Sequence, residues 1–165
     1  MGAAKNEYIR LGFDRRLALE FHGANISSDA GLLAYREMDE VLGLTSMSGR
    51  FLNDWRTGKN TQHSMLALIR QSIYSRLAGY EDTNDAERLA VDPIMRQVVG
   101  GRATEHSAAS TSQMARFETE VLTQPRNLTA LAKLSGGWID RLRDRRQLRE
   151  VILDIHRFTK QPVRG

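Results

Sequence analysis

An amphipathic pattern between residues 63 and 93 dominates the chain and predicts one central helix. Its apolar residues recur about every four positions, so they would share a single buried face. These residues are Met65, Ile69, Ile73 and Leu77, with Leu66 and Tyr80 beside them. Arg70, Gln71 and Arg76 fall largely outside this stripe. Thr61 is the predicted N-cap, and Gly79 the residue that ends the helix in a left-handed conformation.

Capping residues and glycines predict further helices before and after this one. A run of small and polar residues from Arg102 to Ser112 is instead expected to be a loosely structured linker. In chain order, the predicted helices run from Ala30 to Leu42, within Thr45 to Asn53, from Asn84 to Val91, from Asp92 to Val99, from Ser110 to Leu122 and from Arg126 to near Arg146. The last of these helices would continue through Gly136 and Gly137, each of which weakens it.

Alternating apolar and polar residues predict β-structure only near the two ends of the chain. Tyr8 to Phe13 and Leu17 to His22 predict a short N-terminal hairpin. Glu150 to Ile155 is the best single strand in the sequence, but a lone strand needs partners. The predicted fold is therefore mainly α, with a hairpin at one end and an orphan strand at the other.

Length and composition predict one soluble, intracellular domain. The 165 residues are 41% hydrophobic, enough for a single core, and contain no cysteine. We find no run of eighteen apolar residues and no secretory signal pattern, which favours a cytoplasmic protein without a membrane span.

The charge balance favours a polyanionic partner only modestly. Lys and Arg number 24 against 20 acidic residues, which gives a net charge of +4. The densest basic tract comprises Arg141, Arg143, Arg145, Arg146 and Arg149. Because Asp140, Asp144 and Glu150 are interleaved with it, the tract fits a salt-bridged, solvated helix face about as well as it fits a set of phosphate contacts.

Asp154 is the one carboxylate whose position in a strand pattern points to metal chemistry. A carboxylate at a strand end can hold a divalent cation, but phosphoryl transfer by two metal ions needs several acidic oxygens. An exposed or capping aspartate is the simpler interpretation of Asp154 alone. The four histidines show no metal-ligand spacing, and the chain has no glycine-rich phosphate loop and no Ser/His/Asp constellation.

Several ordered motifs together resemble the N-terminal part of bacterial insertion-sequence transposases of the DDE class, specifically the IS-thirteen-eighty group. The motifs are SSDAGLLAYREMDEVLGL (Ser27 to Leu44), HSMLALIRQSIYSRLAGYEDTNDAERLAVDP (His63 to Pro93), ARFE (Ala115 to Glu118) and VILDI (Val151 to Ile155). The segment from Ala78 to Pro93 is the most distinctive part of the resemblance.

This resemblance implies a helical region over residues 1–150 that helps to grip transposon ends, followed from residue 151 by the first strand of an RNase H-like catalytic domain. That domain would use three separated acidic residues and a divalent metal, usually Mg²⁺. Asp154 would be the first catalytic carboxylate and metal ligand, or that role would belong to the position that His156 occupies. Residues 157–165 depart from the family pattern, so the expectation is a truncated transposase that lacks the later acidic residues.

The expected function is therefore DNA binding at transposon terminal repeats, or a vestigial fragment, without bound Mg²⁺ and without catalysis. Its candidate phosphate contacts are Arg70, Arg76 and the basic tract from Arg141 to Arg149. The alternative from another class is a helical protein–protein module, which would pair with full-length transposase or with itself. A third interpretation is a poorly folded fragment, since its strand would lack a sheet.

Overall fold

The computed structural model describes residues 8–19 and 29–146, and this part of the chain is mainly helical. The strands are β1 (Ile9–Arg10) and β2 (Ala18–Leu19); the helices are α1 (Gly31–Leu42), α2 (Leu44–Phe51), α3 (Met65–Leu77), α4 (Ala86–Val91), α5 (Pro93–Val99), α6 (Arg102–Glu105), α7 (Thr111–Arg116) and α8 (Pro125–Arg146). A π-helical turn, Phe117–Val121, continues α7. The predicted mainly α fold is confirmed.

The two strands form the predicted N-terminal hairpin. They pair antiparallel, with Ile9 opposite Leu19 and Arg10 opposite Ala18. The predicted strand from Glu150 to Ile155 lies outside the described residues, as do Arg149, Asp154 and His156.

Helix α3 lies between two clusters of buried apolar side chains. Ala67 and Tyr74 belong to one cluster, which also contains residues of α1, α4 and α5. Leu68 and Ile69 belong to the other, which also contains residues of α7 and the π-helical turn. The prediction of a single buried face was therefore incomplete, because the helix is covered on two sides. Arg70 and Gln71, which fall outside the predicted apolar stripe, are also buried.

The predicted N-cap of α3 was wrong. Ser64, not Thr61, caps the helix, since its hydroxyl oxygen accepts a hydrogen bond from the Ala67 N–H at 3.1 Å. Thr61 ends a separate 3₁₀ turn, where its hydroxyl donates to the Gly58 carbonyl. The predicted end is correct: Gly79 has φ of 87°, and its N–H donates to the Arg76 carbonyl.

The segment from Arg102 to Ser112, expected to be a loose linker, is also packed. It begins with α6, and Ala108 and Ala109 are almost completely buried. The buried Gln71 side chain bonds to both backbone groups of Ala109, as a neighbouring β-strand would. Its Nε2 donates to the Ala109 carbonyl at 2.7 Å, and its Oε1 accepts from the Ala109 N–H at 2.8 Å. The small side chains of this segment therefore allow close packing, and the prediction of a loosely structured linker was wrong.

Candidate nucleic-acid interface

The start of helix α8 is anchored by one buried asparagine. Asn127 has no exposed surface. Its Oδ1 accepts from the Asn53 N–H at 2.7 Å, and its Nδ2 donates to the carbonyls of Asn53 and Val121 at 3.1 and 2.8 Å. Because Asn53 lies directly beyond α2, these bonds fix the first turn of α8 against the loop that follows that helix.

A second polar contact fixes the middle of α8. The Trp138 indole Nε1 donates to the Leu42 carbonyl at the end of α1, over 3.1 Å. The predicted single helix through Gly136 and Gly137 is confirmed, and Trp138 follows directly after them. The basic end of α8 is therefore held beside the junction between α1 and α2, with α8 packed against α2.

This arrangement forms an open groove with two guanidinium groups, which we call the α2/α8 groove. It is lined by Met47, Arg50, Phe51 and Arg141. No acidic side chain lines it, and Phe51 is 63% exposed. Two cations beside an exposed aromatic ring, without a lining carboxylate, form a surface suited to a phosphate backbone.

Arg141 lies close to the turn between α1 and α2. A Cβ atom placed on Gly43 would lie 3.1 Å from its Nη1. Arg143 is exposed on α8, and among the described side chains neither it nor Arg141 forms an ion pair with Asp140 or Asp144. Arg145 and Arg146 continue the same helix. The described side chains of the tract, Arg141 and Arg143, are therefore not salt-bridged to the acidic residues interleaved with them.

Arg70 is placed inside the protein and not in this interface. Its Nε donates to the Thr45 hydroxyl at 3.2 Å, and its Nη2 lies 3.9 Å from the Glu40 carboxylate. Burial, followed by the neighbouring Arg36, lowers the pKa of its guanidinium. Arg70 therefore joins α3 to α1 and α2 in a buried polar network and is not a phosphate contact.

Arg76 lies at the surface but is already paired. Its guanidinium makes two parallel hydrogen bonds to the Glu118 carboxylate, at 2.9 and 3.0 Å. The hydrogen bond to Glu118 is the main reason that the pKa of Arg76 is raised. A phosphate would have to compete with this carboxylate, so Arg76 is a poorer contact than Arg141.

Arg50 is the interface residue that the sequence did not single out. It is one isolated cation in a short helix, and nothing in its local pattern distinguishes it from other surface arginines. Its position becomes informative only once α8 is placed across α2, a contact between segments more than seventy residues apart in the chain.

The described residues offer no metal centre. No group of three or more His, Asp or Glu side chains among them is arranged to hold a metal ion. The carboxylates of residues 8–19 and 29–146 therefore do not fit the metal site of a strand-transfer enzyme. Within the same residues, no helix is long and apolar enough to cross a membrane.

Comparison with known proteins gives one match. The family model described as transposase DDE domain, group 1, matches residues 9–164. The matched range extends past His156, the point after which the sequence was expected to depart from the family. No curated protein and no solved structure matches the chain.

Proposed function

We propose that the chain, which belongs to the family of group 1 transposase DDE domains, serves as a DNA-binding part of a bacterial insertion-sequence transposase of the IS-thirteen-eighty group. Members of this family act on DNA and generally use divalent metal ions. Its ligand in this proposal is the terminal repeat of the transposon. The observation that carries the proposal is the α2/α8 groove, where Arg50 and Arg141 lie together without a lining carboxylate.

The anchoring of α8 supports phosphate contacts by its arginines. Arg141 and Arg143 lie on a helix anchored at Asn127 and Trp138, so their positions are fixed relative to the core. A guanidinium can give two parallel hydrogen bonds to one phosphate. Arg145, Arg146 and Arg149 extend the proposed contact set along the chain beyond the described side chains.

The test of DNA binding is a titration of a labelled terminal-repeat duplex at about 0.05 and 0.2 M salt. If Arg141 and Arg143 contact phosphates, replacing both by glutamine weakens binding and lowers the slope of log affinity against log salt by roughly 0.9 for each phosphate that is no longer neutralised. Arg88→Gln is the matched control, because Arg88 is an exposed arginine on α4 that stacks on Tyr80, 4.7 Å from the ring centre. Affinity that ignores salt would contradict the proposal.

We propose further that Asp154 corresponds to the first catalytic carboxylate of the family, and that this chain alone does not cleave or join DNA. The purified protein with a terminal-repeat duplex and Mg²⁺ or Mn²⁺ should leave both strands intact, and Asp154→Asn should bind DNA as the unaltered chain does. Metal-dependent cleavage that is lost in Asp154→Asn would overturn the expectation of inactivity.

A second candidate function is self-association through a helix face. Tyr35, Met38 and Val41 on α1, together with Leu77 at the end of α3, are each about half exposed or more. Isolated apolar residues at a surface are ordinary, but a contiguous apolar patch is typical of an interface. This patch borders a cavity of about 120 Å³ whose lining also includes Ile73 and Trp138. A second copy of the chain is the partner we propose for it.

A further inference from the structure

His63 is a buried histidine with an unsatisfied ring nitrogen. It directly precedes the Ser64 cap of α3 and is only 5% exposed. Its backbone carbonyl accepts a hydrogen bond from Arg56 at 3.1 Å, but its Nδ1 has no partner among the described residues. A buried polar atom without a partner costs free energy and calls for an explanation such as an absent ligand or water.

One wall of a polar cavity contains this histidine. The cavity has a volume of about 230 Å³, and its lining includes Arg102, which begins α6, and His106 and Ser107, which follow this helix. Glu87 is the single carboxylate in its lining. At ~30 Å³ per water molecule, the cavity has room for a phosphate group together with bound water. The lining is therefore rich in donors and large enough for a tetrahedral oxyanion.

The charges around His63 favour an anion rather than a cation. Burial lowers the pKa of His63, and the positive charges of Arg102 and then Arg56 lower it further. Arg56 is already paired with Asp54, at 2.7 Å, whereas no hydrogen bond or ion pair of the Arg102 side chain is found among the described residues. The remaining titratable and charged groups around His63 are Glu87 and His106 in this cavity, and Arg116 and Glu120 in the neighbouring one.

We propose that this cavity, which we call the His63 cavity, binds one phosphate group. The exposed residues Arg102, His106 and Ser107 donate hydrogen bonds to its oxygens, and the buried His63 lines the same cavity. The site is separate from the α2/α8 groove, since the two have no lining residue in common. If the proposed function is correct, the phosphate belongs to the DNA backbone, and this part of the inference rests on that function. Inorganic phosphate is the alternative source.

The experiment follows the histidine ring signals by NMR as a function of pH, in the full chain. Three samples are compared: a buffer free of phosphate and sulfate, the same buffer with inorganic phosphate, and the same buffer with a terminal-repeat duplex. A phosphate in the cavity stabilises the protonated imidazole, so the titration of His63 should move to higher pH. Arg102→Gln should weaken the binding of the phosphate roughly tenfold, because it removes a charge-assisted bidentate donor. Arg88→Gln, which removes an equal charge away from the cavity, should leave it unchanged.

The outcomes separate this site from the proposed function. A shift of His63 with the duplex that needs roughly tenfold more duplex in Arg102→Gln supports a backbone phosphate in the cavity. A shift of the His63 titration with inorganic phosphate, without duplex binding at any salt concentration, supports the phosphate site. The absence of duplex binding in this case contradicts the proposed function. Duplex binding without any effect on His63, in either sample, overturns the phosphate site and leaves the proposed function standing. No duplex binding and no response to phosphate overturns both.

Discussion

At the scale of single residues, Gln71 shows how one buried side chain organises a distant segment. It lies in the middle of α3 and is 1% exposed. Through its two hydrogen bonds to Ala109, it satisfies a backbone that runs between α6 and α7 without a neighbouring strand. Buried backbone groups need partners, and Gln71 supplies them for Ala109, as the Ala90 carbonyl does for the Ala108 N–H.

Gln71→Leu is therefore expected to destabilise the protein strongly. It would leave the Ala109 N–H and carbonyl buried without partners, at a cost of about 2 to 6 kcal/mol for the two groups. Urea unfolding followed by circular dichroism measures the change in the free energy of unfolding. Gln124→Leu is the control, because Gln124 is exposed and its side chain bonds only to the nearby Glu120 carbonyl. If the two variants were equally stable, Gln71 would not have this role.

His63 predicts how stability depends on pH. Because burial lowers its pKa below the ordinary 6.5 in the folded protein, the unfolded chain takes up the proton first as pH falls. Its contribution to stability is thus complete above about pH 6.5 and is lost as pH falls through the lower folded-state pKa.

In phosphate-free buffer, the free energy of unfolding should consequently fall less between pH 7 and 5 in His63→Gln than in the unaltered chain. His106→Gln should leave this loss as it is, since His106 is exposed. Urea unfolding at several pH values makes the comparison. Identical pH profiles for His63→Gln and the unaltered chain would show that His63 is not buried as a neutral ring.

At the scale of elements, the predictions succeeded where the signal was local. Asp92 accepts from the Met95 N–H at 2.7 Å, and Pro93 begins α5, as the sequence predicted. Gly43 ends α1 with φ of 76°. A cap or a left-handed glycine is determined by a few adjacent residues, so it can be predicted from them. The prediction of Thr61 as N-cap was wrong because Thr61 belongs to a separate 3₁₀ turn, and Ser64, another residue type that caps well, lies directly before α3.

The glycine pair in α8 gives a prediction at this scale. An added Cβ would meet nothing within 4 Å at either Gly136 or Gly137, and both lie inside a helix. Gly136→Ala and Gly137→Ala should therefore each stabilise the protein, by about 1 kcal/mol.

Gly43→Ala should do the opposite, because Gly43 has a positive φ and lies close to Arg141. Thermal unfolding of the three variants gives the order of stability. A loss of stability in the α8 variants would mean that the glycines are needed to bend or pack this helix.

At the scale of the whole molecule, the arrangement of helices could not be predicted from local patterns. The apolar stripe of α3 indicated one covered face, yet two clusters cover it on different sides. The burial of Arg70 depends on Thr45 and Glu40, which belong to other helices. The α2/α8 groove also depends on the arrangement of helices. The basic tract is visible in the sequence, whereas the position of Arg141 beside Arg50 depends on how α8 crosses α2.

The apolar patch on α1 and α3 predicts the behaviour of the whole chain in solution. If it is a self-association surface, the apparent mass in size-exclusion chromatography with light scattering should rise with protein concentration in the absence of DNA. Met38→Glu should suppress this rise, since it places a charge at the centre of the patch. Leu128→Glu is the control, because Leu128 is an equally exposed apolar residue on α8. A constant monomer mass at all concentrations would contradict the second candidate function.

The bonds between Asn53 and Asn127 have a consequence for the order in which the protein can be made. The two residues are separated by 74 positions, so the ribosome must synthesise α2 to α7 before Asn127 exists. Until then, the loop at Asn53 lacks its anchor, and the cluster around Phe117 lacks the cover of Ala130 and Leu131. A nascent chain is consequently incomplete in its core until α8 emerges, and the helix that completes these contacts is also the one that carries the basic tract.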